Sequence, residues 1–149
     1  QLKLAWIAAV GPRKECSTSL KNLEILSDTY LSLATPVQHG LQHLLDTDIQ
    51  HQIHQRCRKN LHTLGVILKE SPVSPLRTEG GWYAILKLPQ TLSDEEWSLE
   101  LLRLYGVLTS PGFLYEFPQE SHLVLSLITE ENTFKEGVRR LVNGVQKLI

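Results

Sequence analysis

The chain has 149 residues, 42% of them apolar and 21% charged, with 15 basic against 16 acidic side chains and a formal net charge of −1. That length and apolar content suffice for one domain, or one and a fraction, with a real core, and they argue against disorder. The balanced charge leaves no nucleic-acid footprint, no apolar run approaches the roughly 18 residues of a membrane span, and the first residues lack the basic-then-apolar layout of a signal peptide. Two cysteines, Cys16 and Cys57, make no disulfide framework, so the expected compartment is the reducing cytoplasm. The chain contains no methionine and opens on Gln1. Leu2, Leu4, Trp6, Ile7 and Val10 read as a buried strand entered without a leading loop, so we expect a fragment of something longer.

In chain order, that strand (residues 2–10) stops at Gly11-Pro12. Ser17, Thr18 and Ser19 offer caps for a helix to about residue 34, with Leu23, Leu26, Tyr30 and Leu33 on one face. Pro36 ends it and opens a short helix over roughly 36–45, with Thr35 as cap. Asp46, Thr47 and Asp48 cap a long third helix. Its stripe Ile49, Ile53, Cys57, Leu61, Leu64 and Leu68 repeats at three and four residues, and Ser71-Pro72 and Ser74-Pro75 close it.

The period then changes. Trp82 to Leu88 is a short apolar run between Gly80-Gly81 and Pro89 and reads as a strand. Ser93 and Glu96 form a capping box for a helix with Trp97, Leu101 and Tyr105 inward, ended by Gly106 in the left-handed region. A strand at 107–110 runs into Pro111-Gly112, another spans about 122–129, and a last helix carries Phe134, Val138, Leu141, Val145 and Leu148 on one face. The expected product is an α+β fold, with helices on one face of a small, mostly antiparallel sheet.

Few constellations carry chemistry. Five of the six histidines, His39, His43, His51, His54 and His62, lie within one stretch, but the glutamate of the zinc-protease motif is absent between His39 and His43. They read as a polar helix face, and no metal is expected. Cys57 sits on an apolar stripe and reads as packing. Cys16 follows Arg13 and Lys14, which favour a thiolate, without an orienting histidine. Gly80-Gly81 lacks the spacing of a phosphate loop and supplies backbone freedom before a strand. Asp94, Glu95 and Glu96 suit a helix N-terminus.

The order of the pieces carries a resemblance. Leu2-Lys3-Leu4-Ala5-Trp6-Ile7 followed by Gly11-Pro12 looks like the segment after the Schiff-base lysine of class I/II aminotransferases. Tyr30-Leu31-Ser32-Leu33-Ala34-Thr35-Pro36-Val37-Gln38 is similar to that family's helix-to-helix passage, and Glu79-Gly80-Gly81-Trp82-Tyr83 to the start of a small-domain strand. Tyr105 to Gly112 looks like the passage into the Pro-Gly turn. Leu125-Ser126-Leu127, followed by Glu136-Gly137-Val138 and Arg140-Leu141, resembles the ending. Over about 145 residues the chain thus resembles the C-terminal portion of a pyridoxal-phosphate (PLP)-dependent aminotransferase of fold type I.

The resemblance implies that residues 1–13 are the last strand of the PLP-binding large domain. It makes residues 14–149 the C-terminal small domain, including the long connecting helix. It implies PLP as cofactor, a cytoplasmic homodimer, amino acid and 2-oxo acid substrates, and no nucleic acid or membrane as partner of this chain. The aldimine lysine falls before Gln1, so no catalytic residue lies in this chain and it should be inactive alone. Lys3 aligns with the arginine that commonly holds the PLP phosphate. Val124 stands where the substrate-carboxylate arginine usually does, which leaves the substrate-binding residues open. Arg77 and Arg13 are candidates on charge alone, and Phe113 and Tyr115 could line the entrance or the core. The alternatives are an aminotransferase-like ligand-sensing domain of a transcription regulator, another fold-type I PLP enzyme, or an unrelated α+β interaction domain.

Overall fold

The computed structural model describes residues 4–30 and 34–149. They divide into two compact units, residues 1–48 and residues 49–149.

The first unit holds α1 (Arg13–Tyr30) and α2 (Thr35–Leu45). Residues 4–10 have no regular structure, which corrects the strand expected over 2–10; Leu2 and Lys3 lie outside the described residues. A strand persists only where its N–H and C=O groups join a ladder, and none of the described strands pairs with this segment. Trp6 and Ile7 are accordingly 69% and 70% exposed. Helix α1 starts at Arg13 rather than near Ser17, because Pro12 pre-sets the entry and its carbonyl accepts the Cys16 N–H at 3.0 Å. Thr18 caps nothing; its hydroxyl donates back to the Lys14 carbonyl. Every described residue of α1 is exposed or half-buried, so the stripe Leu23, Leu26, Tyr30 is not a core face here, and Leu33 lies outside the described residues. Helix α2 carries its proline in the first turn as expected, but Ala34, not Thr35, is its N-cap.

The second unit starts with α3 (Ile49–Leu68) and continues through β1 (Ser74–Pro75), β2 (Tyr83–Lys87), α4 (Asp94–Tyr105), β3 (Ser110–Pro111), a 3-10 turn (Gly112–Tyr115), β4 (His122–Ser126) and α5 (Glu131–Leu148). The sheet order is β1-β2-β4-β3, and each described pairing is antiparallel. Strands β2 and β4 run in register from Tyr83↔Ser126 to Lys87↔His122. Period two then puts Ala84, Leu86, Leu123 and Leu125 on one face. They meet Leu64 and Leu68 of α3, Trp97 and Leu101 of α4, and Phe134, Val138, Leu141 and Val145 of α5 in one buried cluster. The expected architecture, helices on one face of an antiparallel sheet, is the one observed.

Local signals hold where they stand alone. Ser93 and Glu96 form the full capping box, and Gly106 closes α4 at φ +63°. The buried Trp97 indole finds the Pro89 carbonyl at 3.2 Å. Boundaries shift where partners decide. Strand β3 holds two residues rather than 107–110, because the Val107 N–H closes the end of α4 on the Leu101 carbonyl. Strand β4 stops at Ser126, and the two-residue edge strand β1, with a proline, shows no sequence pattern. The long stripe of α3 is buried only in its second half: Leu64 and Leu68 are covered, whereas Ile49 and Ile53 are exposed.

The opposite face carries Tyr83, Ile85, Lys87, His122, Val124 and Ser126. The segment after β3 meets part of it: Tyr115 reaches Tyr83 edge-on at 6.1 Å and Phe117 stacks on His122 at 5.2 Å. Asp94, at the start of α4, accepts the His122 N–H at 2.6 Å. A Cβ on Gly112 would stand 2.7 Å from the Asp94 Oδ2 and 2.9 Å from the His122 Cβ. Glycine is required there because three segments meet at its Cα.

Two stability predictions follow from this packing. A Cβ on Gly144 of α5 would lie 2.8 Å from Leu101 and 2.9 Å from the Tyr105 ring, so Gly144→Ala should cost about 1–3 kcal/mol in denaturant unfolding. Gly137→Ala, with nothing within 4 Å, should instead be neutral or gain up to about 1 kcal/mol from helix propensity. The second concerns acid. Glu130 caps α5, and the N–H groups of Asn132 and Thr133 hold its carboxyl below the usual range. A depressed folded pKa means that the capping stabilisation is complete above the ordinary carboxyl range and is lost as pH falls through the lowered value. Stability measured against pH should therefore fall on acidification, and Glu130→Gln should flatten part of that slope.

Candidate functional site

The Gly-Gly turn and the middle of α3 meet to form a cleft of about 490 Å³. Positions 50, 53, 54, 57, 58 and 61 of α3 recur at three and four residues and present one helix face to it, opposite Thr78 to Trp82, with Leu127 alongside. Gly81 takes φ +74°, and a Cβ at Gly80 or Gly81 would touch nothing within 4 Å. The turn thus borders open space rather than packed atoms. The Leu127 N–H donates to the Trp82 carbonyl at 2.7 Å, joining the end of β4 to the turn.

Asn60 holds α3 in place beside this cleft. It is 1% exposed, and its Nδ2 donates to the carbonyls of Leu127 at 2.9 Å and Thr129 at 2.8 Å. Both carbonyls follow the end of β4, where the ladder no longer satisfies them. Its Oδ1 is buried without a hydrogen-bond partner. Asn60 was missed in the sequence because it is polar, although its place between Cys57 and Leu64 at helical spacing marks it as inward-facing.

The structure brings His54 and Cys57, three residues apart on α3, together with the distant Gly80-Gly81: all line the cleft. It adds Arg58, Glu79 and Trp82. The Arg58 side chain has no ion-pair or hydrogen-bond partner among the described residues, whereas Glu79 is paired with Arg77 at 2.7 Å. The other candidates scatter. His39 and His43 lie on α2 and Arg13 and Cys16 on α1, all in the first unit. His51 shares a hydrogen bond with Gln55, and His62 lies further along α3. Among the described residues no three His, Cys, Asp or Glu side chains gather to hold a metal ion, and no helix is long and apolar enough to cross a membrane. Phe113 and Tyr115 sit in the 3-10 turn, 53% and 44% exposed, so neither is core.

Val124 is buried at the centre of β4, opposite Ile85 on β2 and Ser110 on β3. Neither partner supplies a guanidinium, and Arg77 is engaged with Glu79. A phosphate cradle needs converging N–H groups or cations. Lys3, which the resemblance assigned to the PLP phosphate, lies outside the described residues. The described residues therefore do not make a PLP site by themselves.

No protein-family model matches the chain. The alanine aminotransferase of Mycobacterium tuberculosis (strain ATCC 25618 / H37Rv) is 25% identical over 153 residues, covering 95% of this chain and 35% of that protein. The chain thus spans about a third of the curated relatives it matches. Among solved structures, a PLP-dependent aminotransferase from Streptococcus suis 89-1591 superposes with a TM-score of 0.72 at 21% identity, over 91% of this chain and 36% of that one. A methionine aminotransferase from Escherichia coli does so with a TM-score of 0.70 at 23% identity, over 86% and 35%. The α+β fold of this chain is that of the aminotransferase C-terminal domain, in agreement with the resemblance read from the sequence.

Asn60 gives a direct test of how this site is held. Asn60→Ala removes two hydrogen bonds and orphans two carbonyls at the end of β4, and should cost about 2–4 kcal/mol in denaturant unfolding. Surface changes on the same helix, such as Gln52→Ala, should stay within about 0.5 kcal/mol.

Proposed function

We propose that this chain is the C-terminal domain of a PLP-dependent aminotransferase, whose complete protein moves an amino group between an amino acid and a 2-oxo acid. The observation that carries the reading is the joint match: the aminotransferase fold over 91% of the chain, and 25% identity to an alanine aminotransferase over 95% of it. In this reading residues 1–13 join the large domain's sheet as its last strand, which supplies the ladder that residues 4–10 lack here, and residues 14–149 form the small domain. The complete protein is a cytoplasmic homodimer. Bound PLP supplies the electron sink for amino-group chemistry. Lys3 contributes a positive charge to its phosphate as a point donor, without the bidentate fork of an arginine.

The chain's own residues constrain how substrate is held. Valine at 124 offers a carboxylate neither charge nor hydrogen bond, and its ladder partners Ile85 and Ser110 do not restore a cation. The substrate carboxylate is therefore held from a position other than 124. Residue 124 instead presents an apolar wall.

The test uses the complete protein encoded around this chain. Purified with PLP, it should show the cofactor's visible absorbance and ping-pong amino transfer between an amino acid and a 2-oxo acid, while the 149-residue chain alone shows neither. A complete protein that binds PLP yet transfers no amino group from any of the common amino acids would overturn the reading. Lys3→Ala in the same protein should weaken PLP retention by roughly tenfold or more, measured by dialysis and absorbance.

A further inference from the structure

The cleft between α3 and the Gly80-Gly81-Trp82 turn has the attributes of a small-molecule site. Its volume of about 490 Å³ lies within the roughly 300–1,000 Å³ typical of such pockets. Ile53, Leu61, Leu127 and the half-exposed Trp82 ring make it apolar on several sides. The charge balance is asymmetric. Glu79 is paired with Arg77 at 2.7 Å on the solvent side of the turn, whereas the Arg58 side chain lines the same cleft with no ion pair among the described residues. One uncompensated guanidinium beside apolar walls is complementary to one anionic head on an apolar body. Guanidinium matches carboxylate geometry in a planar, two-point fashion.

We propose that this cleft binds a small organic monocarboxylate with an apolar or aromatic body, its carboxylate on Arg58 and its body against Trp82 and Leu127. The turn borders open space, since a Cβ at Gly80 or Gly81 would meet no atom within 4 Å. Cys57 lines the same cleft and is a free thiol, which makes it a local reporter of occupancy. The cleft is built wholly from residues of the second unit.

The experiment uses the complete protein and the probe 3-phenylpropionate, with the uncharged 3-phenylpropanamide beside it. Iodoacetamide labelling of Cys57 is followed by mass spectrometry of its peptide as each probe is titrated. The acid should protect Cys57, and the amide should need on the order of tenfold to a hundredfold higher concentration, the worth of a charge-assisted contact. Arg58→Gln should bring the acid down to the level of the amide, and Arg58→Lys should keep part of the difference. Arg58 is exposed, so an unchanged thermal midpoint will show that these variants stay folded. Equal protection by acid and amide would make the site merely apolar and overturn the proposal. So would undiminished protection in Arg58→Gln, or no protection of Cys57 by either probe.

Discussion

Strands β2 and β4 exchange their ladder hydrogen bonds over five residues each, with Ala84 opposite Leu125 and Leu86 opposite Leu123. That register sends four apolar side chains to the helices and leaves Val124 and His122 on the other face. A slip by one residue would exchange the two sets, since side chains alternate with period two. The helix layer rests on this choice: α5 lays Phe134, Val138, Leu141 and Val145 against the apolar set, and α3 and α4 close the cluster from either side. Gly144 permits the α4–α5 approach, because any side chain there would enter the space of Leu101 and Tyr105.

The same register governs what the other face can do. Val124 lies between Ile85 and Ser110 in adjacent strands, so the position at which the resemblance expects a carboxylate-binding arginine is apolar, with apolar or small neighbours. Valine at this position offers an anionic group neither charge nor hydrogen bond. Behind it, the Asp94 carboxylate fastens the His122 N–H and Phe117 stacks on the His122 ring. Gly112 lets these groups meet. The segment after β3 is held to the sheet by these contacts rather than by ladder pairing.

Where β4 ends, the problem becomes one of unsatisfied carbonyls. Asn60 answers it from α3, donating to Leu127 and Thr129. Together with the Lys59–Glu131 pair and the packing of Cys57 and Leu61 against the core, it anchors the middle of a long helix whose first residues, Ile49 and Ile53, are exposed. The helix face next to it, with Cys57 and Arg58, lines a cleft together with Trp82. On its rim Glu79 pairs with Arg77, whereas the Arg58 side chain lines the cleft with no ion pair among the described residues.

What the sequence determined by itself was local. The capping box of Ser93 and Glu96, the left-handed stop at Gly106, the amphipathic face of α5 and the apolar runs that became β2 and β4 depend on atoms a few residues apart. The physics that selects them is already complete in the chain. The α+β class followed from their order. Tertiary structure decided everything that needs a distant partner. Residues 4–10 are apolar enough for a strand but pair with none of the described strands, and the described residues of α1 are exposed or half-buried. Strands β1 and β3 are two residues long and exist only because β2 and β4 lie beside them. Asn60, polar and mid-helix, became a core residue because two carbonyls some seventy positions later required a donor. The adjacent pair Cys57-Arg58 came to share a cleft with Trp82 because the fold packs α3 beside the Gly-Gly turn, a placement that spacing along the chain does not set.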